Sequence, residues 1–116
     1  MSGCLPVRAK TAAILLAAFV HHAASAAPAP VTISIANFTF DPPALTVPAG
    51  TEITWVNQDD IPHLVDAADG AFRSPPLDTD DRFTLRLTEP GTISYFCGLH
   101  PHMTGTVTVV AAPAPS

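Results

Sequence analysis

Between Tyr95 and Met103 the chain reads YFCGLHPHM, which sets a cysteine, two histidines and a methionine within seven positions. Cys97, His100 and Met103 recur at every third residue, with Pro101 between the last two. Thiolate and thioether are soft donors and imidazole suits several metals, so this group of side chains has the chemistry of a transition-metal site. One short segment offers three donors, and a fourth has to come from another part of the chain. Beyond residue 26 the remaining histidines are His102 and His63, the latter in WVNQDDIPHLV.

His63, Cys97, His100 and Met103 together are two imidazoles, one thiolate and a weak thioether. That set suits copper in an electron-transfer site, because the soft sulfur donors hold Cu(I) while imidazole accommodates both oxidation states. Zinc takes four stronger donors in a structural site, or three plus water in a catalytic one, and thioether serves it poorly. Taken singly, the residues have plainer readings: a free cysteine is often a small buried hydrophobe, a methionine core filler, and a histidine after proline a turn residue. Their joint order, Cys-x2-His-x2-Met with an earlier histidine, is what favours a single Cu(I)/Cu(II) ion. His102 falls between two of the donors and is expected to point away from them as an exposed neighbour.

The elements that would carry these donors are strands. Val31, Ile33 and Ile35 alternate with smaller or polar residues, and Phe38 and Phe40 flank Thr39. Leu45 and Val47, Ile53 and Trp55, Phe83 with Leu85 and Leu87, Ile93 and Tyr95, and Val107 and Val109 repeat the scheme. Each set predicts one buried face of a strand. Proline and glycine breaks separate the runs, at DPP (41–43), PAG (48–50), DDIP (59–62), ADG (68–70), SPP (74–76) and EPG (89–91). Many short, regularly punctuated strands predict an all-β fold, a Greek-key antiparallel β-sandwich. The stretch from about Asp66 to Asp81 carries no clear strand signal and is expected to loop over one side.

The N-terminus predicts export. Arg8 and Lys10 precede an uncharged run from Thr11 to Val20 and then Ala24-Ser25-Ala26, the order of a secretory signal peptide. That run is shorter than the roughly 20 residues of a membrane span, and no later segment reaches such a length without a charge or a proline. Residues 1–26 are therefore expected to be removed, leaving an Ala/Pro-rich tail (27–30), one domain (31–110) and a second Ala/Pro-rich tail (111–116) in the periplasm. Cys97 is then a lone thiol in an oxidising compartment, where it has no internal disulfide partner. Three basic residues stand against ten acidic ones beyond residue 26, a formal charge of −7. Phosphate backbones need clustered Lys and Arg, so nucleic acid is excluded as a partner, and a basic protein is favoured. We read the domain as a monomer.

In ANFTFDPPALTVPAGTEITWVNQDDIPH (36–63) and YFCGLHPHMTGTVTV (95–109) the sequence resembles the cupredoxins, small blue copper proteins, and within them the amicyanin, plastocyanin and pseudoazurin group. The resemblance implies His63, Cys97, His100 and Met103 as copper ligands. It also implies that Asn57 ties the first-histidine loop to the cysteine loop, a brace outside the ligands that would hold them as the metal changes charge. Two departures stand out. Gly98 follows the cysteine where better-known relatives carry a hydroxyl, and Gly98-Leu99 occupies a place where a proline commonly precedes the second histidine.

These features imply a periplasmic carrier of single electrons, with His100 as the exit and a redox protein such as a c-type cytochrome or a dehydrogenase as partner. A copper-binding protein for storage, delivery or tolerance would use the same ligands and is the alternative. An enzyme is not expected, because oxidase or nitrite-reductase chemistry in related folds needs further histidines for a second copper. The acidic groups Asp66/Asp69 and Asp78/Asp80/Asp81 match no calcium loop and are read as solvated.

Overall fold

The computed structural model describes residues 27–113 together with residues 3 and 4. The expected signal segment, apart from those two residues, and the last three residues of the C-terminal tail lie outside the described residues. Among the described residues eight strands follow in order: β1 (Val31–Ala36), β2 (Thr39–Asp41), β3 (Ala44–Pro48), β4 (Thr51–Asn57), β5 (Asp66–Ala67), β6 (Arg82–Leu87), β7 (Gly91–Cys97) and β8 (His100–Val110). Valine, isoleucine, threonine and aromatic residues dominate them, as the half-buried surface of a pleated sheet requires. Among the described residues no helix is long and apolar enough to cross a membrane.

The strands form two four-stranded sheets, ordered β2-β1-β4-β6 and β3-β8-β7-β5. Their inward faces meet in one core, to which Ile33, Ile35, Ile53 and Trp55 come from the first sheet and Tyr95, Cys97, Val107 and Val109 from the second. The expected sandwich is thus present, with one refinement. Most neighbours are antiparallel, but β1 runs parallel to β4 and β3 parallel to β8. Alternation in a sequence reports which face a residue takes and carries no information on the direction of the neighbouring strand.

Phe40 is fully buried, as expected, but Phe38 is 51% exposed. The reason lies in the backbone. Asn37 and Phe38 form the two-residue turn between β1 and β2, both with positive φ (52° and 57°), which ends the alternation one residue before β2 begins. The predicted loop from Asp66 to Asp81 holds the two-residue strand β5, paired through Asp66 with Phe96. The loop also sends Leu77 into the core.

Candidate metal centre

Three turns converge at one end of the sandwich: Asn37–Phe38 after β1, the segment after β4 that carries His63, and the β7–β8 connection. In the last of these, Gly98 and Leu99 alone join the strands, and Cys97 lies directly opposite His100. Phe96 pairs with Thr104, so the next pair in a regular ladder would be Cys97 with Met103. Instead Pro101, His102 and Met103 are extra residues on β8, and the ladder shifts between Phe96 and Cys97. Such a bulge re-aims side chains, and here it lets residues 97 and 100 face each other across a two-residue turn. Proline fits there because no ladder hydrogen bond is asked of its nitrogen.

His63 reaches the same point from the loop that follows β4. Its backbone exchanges hydrogen bonds with Leu77, the His63 N–H donating to Leu77 O at 3.1 Å and the Leu77 N–H to His63 O at 2.8 Å. His63 Nδ1 stands 3.6 Å from Cys97 Sγ, and His100 Nδ1 stands 3.7 Å from it. The ligand atoms of the three residues all lie within 4.8 Å of one another. Metal bonds of about 2.0 Å to nitrogen and 2.3 Å to sulfur, opened to between tetrahedral and trigonal angles, span roughly 3.5–3.7 Å. The three donors therefore fit one ion held between them. His63 and Cys97 are fully buried, and His100 is partly exposed. Met103 is buried, at 4% exposure, in the same core cluster as Cys97, while His102 is exposed as expected.

Two groups outside this set hold its members in place. The Leu64 N–H donates to Cys97 Sγ at 3.3 Å. The Asp59 carboxylate accepts from His63 Nε2 at 2.8 Å, from the Asn37 N–H at 2.7 Å and from the Phe38 N–H at 3.0 Å. Partial burial works against the charge of Asp59, but the Phe38 amide, the His63 ring and the Asn37 amide outweigh it and hold this carboxyl below its ordinary pKa. Bonds to the charged form have this effect.

Asn57 plays a different part from the one its resemblance implied. Its side chain is fully buried and donates to Ile61 O and Leu77 O, both at 2.8 Å, and accepts from the Asp59 N–H at 2.9 Å. All three bonds stay on the histidine side, and none of its hydrogen bonds reaches residues 97–100. The bond to the cysteine comes from the backbone of Leu64 instead, which needs no side chain of a particular kind. Gly98 also has a structural reason. A Cβ there would run into the Asp66 carboxylate and stand 3.0 Å from Leu64 Cδ1, so the space a larger residue would use is already filled.

Asp59, Leu64, Leu77 and Phe38 were not marked by the sequence. An acid four residues before a candidate ligand histidine was a usable signal for Asp59. Leu64 acts through its amide, and Leu77 through its amide and carbonyl, groups that every residue but proline has. Phe38 reads as core by alternation and is displaced by its turn.

The family model described as a cupredoxin-like domain matches residues 9–109. The chain is similar to amicyanin from Paracoccus denitrificans, at 34% identity over 92 residues, 75% of this chain and 70% of that protein. Among solved structures it is similar to a purple cupredoxin from Nitrosopumilus maritimus, with a TM-score of 0.65 and 36% identity, covering 69% of this chain and 99% of the other. It is also similar to a copper-containing nitrite reductase from Thermus scotoductus SA-01, with a TM-score of 0.67 and 30% identity, covering 72% of this chain but 23% of the reductase.

Proposed function

The chain belongs to the cupredoxin-like family and its cofactor is copper, and on that premise we propose that it carries single electrons between redox partners in the periplasm. His63, Cys97, His100 and Met103 would hold the ion, the thioether of Met103 as the weakest of the four donors. Bound there, copper supplies a one-electron Cu(I)/Cu(II) couple. The chain's part is to keep the donors still. Asp59 fixes the His63 ring, the Leu64 amide fixes the Cys97 sulfur, and the Asn57 bonds fix the backbone of the histidine loop. Fixed donors and full burial of His63 and Cys97 leave little to reorganise when the charge on the site changes.

The observation that carries this reading is the gathering of two imidazole nitrogens and one thiol sulfur within 4.8 Å. Burial supports this reading over storage or delivery: a metal passed to an acceptor is handed over most readily from exposed ligands, and His63 and Cys97 are fully buried. Electrons leave through His100, which is partly exposed and lies beside Phe38 and Leu99, each 51% exposed. A redox protein, a c-type cytochrome or a dehydrogenase, docks on that end. The charge of −7 beyond residue 26 speeds encounter with a basic partner. The N-terminal signal pattern supports export.

The test is a visible and electron paramagnetic resonance spectrum of residues 27–116 with Cu(II), followed by voltammetry. The expected result is an intense blue band, a small copper hyperfine splitting and reversible cycling at an electrode. A pale tetragonal spectrum, or disulfide-linked dimers through Cys97, would overturn the ligand assignment.

A further inference from the structure

We propose that Asp59 is a positioning residue for the copper site, one carboxylate that orients the His63 ring and pins the strained turn carrying Phe38 against both imidazoles. The proposal rests on the reading that His63 and His100 hold copper. It adds a residue that touches no metal yet sets the potential of the couple.

The geometry has two halves. On one side, Asp59 Oδ2 lies 2.8 Å from His63 Nε2. As this carboxylate acts as an acceptor, Nε2 carries the proton and Nδ1, the nitrogen nearest Cys97 Sγ, presents its lone pair to the site. An anionic partner on the far nitrogen also raises the basicity of a ligating imidazole, which favours the more highly charged Cu(II). On the other side, the same carboxylate takes the N–H groups of Asn37 and Phe38.

Those two residues have φ of 52° and 57°. Asparagine tolerates the left-handed region, but a bulky aromatic residue there is an outlier that surrounding structure must enforce. Burial of the Phe38 ring does not enforce it, because half the residue is exposed. What the turn achieves is the placement of that ring edge-on to His63 (centroids 5.6 Å, 87°) and to His100 (5.1 Å, 88°). The two imidazoles are themselves 5.1 Å apart, so three rings pack around one point and Asp59 ties down two of them. Asp59 is fixed in turn, its N–H held by Asn57 Oδ1 at 2.9 Å and its carbonyl by the Thr79 hydroxyl at 2.7 Å.

The experiment compares the copper-loaded wild type with Asp59→Asn. An amide can still accept one bond, but it has no charge, and its NH2 would face donors. Removing such a partner costs about 10–100-fold in metal affinity. A loss at the low end that falls on Cu(II) alone leaves the variant blue with its preference for Cu(I) over Cu(II) raised about tenfold, ~59 mV upward for a one-electron couple. Amide hydrogen exchange at Asn37 and Phe38 is expected to quicken by roughly tenfold or more. A blue variant with unchanged potential and unchanged exchange overturns the proposal. A wild type that never turns blue overturns the ligand reading beneath it instead. Should the variant fail to fold, long-range 1H–15N spectra of the wild-type Cu(I) protein decide the matter. A slowly exchanging proton on His63 Nε2 supports the proposal, and a fast-exchanging one overturns it.

Discussion

Gly98→Ala is the substitution whose consequence the structure defines most sharply. The new methyl group would meet the Asp66 carboxylate first, through both Oδ2 and Cγ, and Leu64 Cδ1 second, at 3.0 Å. Leu64 Cδ1 is the end of a flexible side chain and can give. Asp66 has less freedom, since its residue is buried against β7 and its other oxygen faces Arg73 Nε at 3.4 Å. Overpacking of this sort costs about 2 kcal/mol, a fall in Tm of roughly 8–16 °C for a domain of this size. Asp66→Ala alone is expected to be mild. It removes an ion pair to an Arg73 side chain that is 71% exposed, worth about 1 kcal/mol at most, and with it a buried oxygen that completes no hydrogen bond. In the double variant the methyl group has room, so the two changes together should cost at least about 1 kcal/mol less than their sum. Urea denaturation of the four copper-free proteins under reducing conditions measures this coupling. Additive costs would mean that the carboxylate does not fill the space above Gly98, and the structural reason for glycine after the cysteine would fall.

Met103→Leu should keep the blue colour and raise the reduction potential, because the proposed fourth donor, soft as it is, adds more to the more highly charged Cu(II) than to Cu(I); voltammetry showing a fall or no change would count against Met103 as a donor. Asn57→Ala strips partners from the carbonyls of Ile61 and Leu77 and from the Asp59 amide, so it should cost about 2–4 kcal/mol in urea denaturation and speed copper loss to a chelator. Tyr95 is buried among Phe40 and Trp55. Burial raises its pKa above the ordinary 10.0, and the nearby Trp55 offsets this only in part; the indole and hydroxyl do not meet in hydrogen-bonding geometry. The unfolded chain therefore releases this proton first as pH rises, so the contribution of Tyr95 to stability should be constant below about pH 10 and decline above it. Tyr95→Phe should remove that part of the decline in pH-dependent thermal melts.

Much of the fold was legible because alternation is a direct record of which face a side chain takes. Ile33, Ile35, Ile53, Trp55, Tyr95, Val107 and Val109 all point inward as their spacing predicts. Strand direction was not legible, and neither were the parallel pairs β1–β4 and β3–β8, since no residue type marks them. At the site, the side chains that carry donor atoms are rare enough to announce themselves: His63, Cys97 and His100 meet around one point, and Met103 is buried in the same core cluster as Cys97. What supports them was hidden for two reasons. The supports at Leu64 and Leu77 are backbone groups that no side chain advertises, and Phe38 departs from its predicted face because a left-handed turn overrides the period. Asn57 was singled out as a brace, and its bonds turn toward the histidine loop and Leu77.

The two-residue connection between Cys97 and His100 has a consequence for how the chain meets its metal. Closing a loop of ten residues takes on the order of 10–100 ns, and three of the proposed donors lie within seven residues. An unfolded chain thus retains most of a binding site, and folding adds His63 together with the Leu64 amide. Affinity for the unfolded state subtracts from what a ligand contributes to the native one, so copper should stabilise this fold by less than its dissociation constant implies. Removing the His63 donor should raise copper affinity for neither state but narrow the gap between them. On this reading the sandwich contributes less to gathering the donors than to fixing the geometry in which they are held.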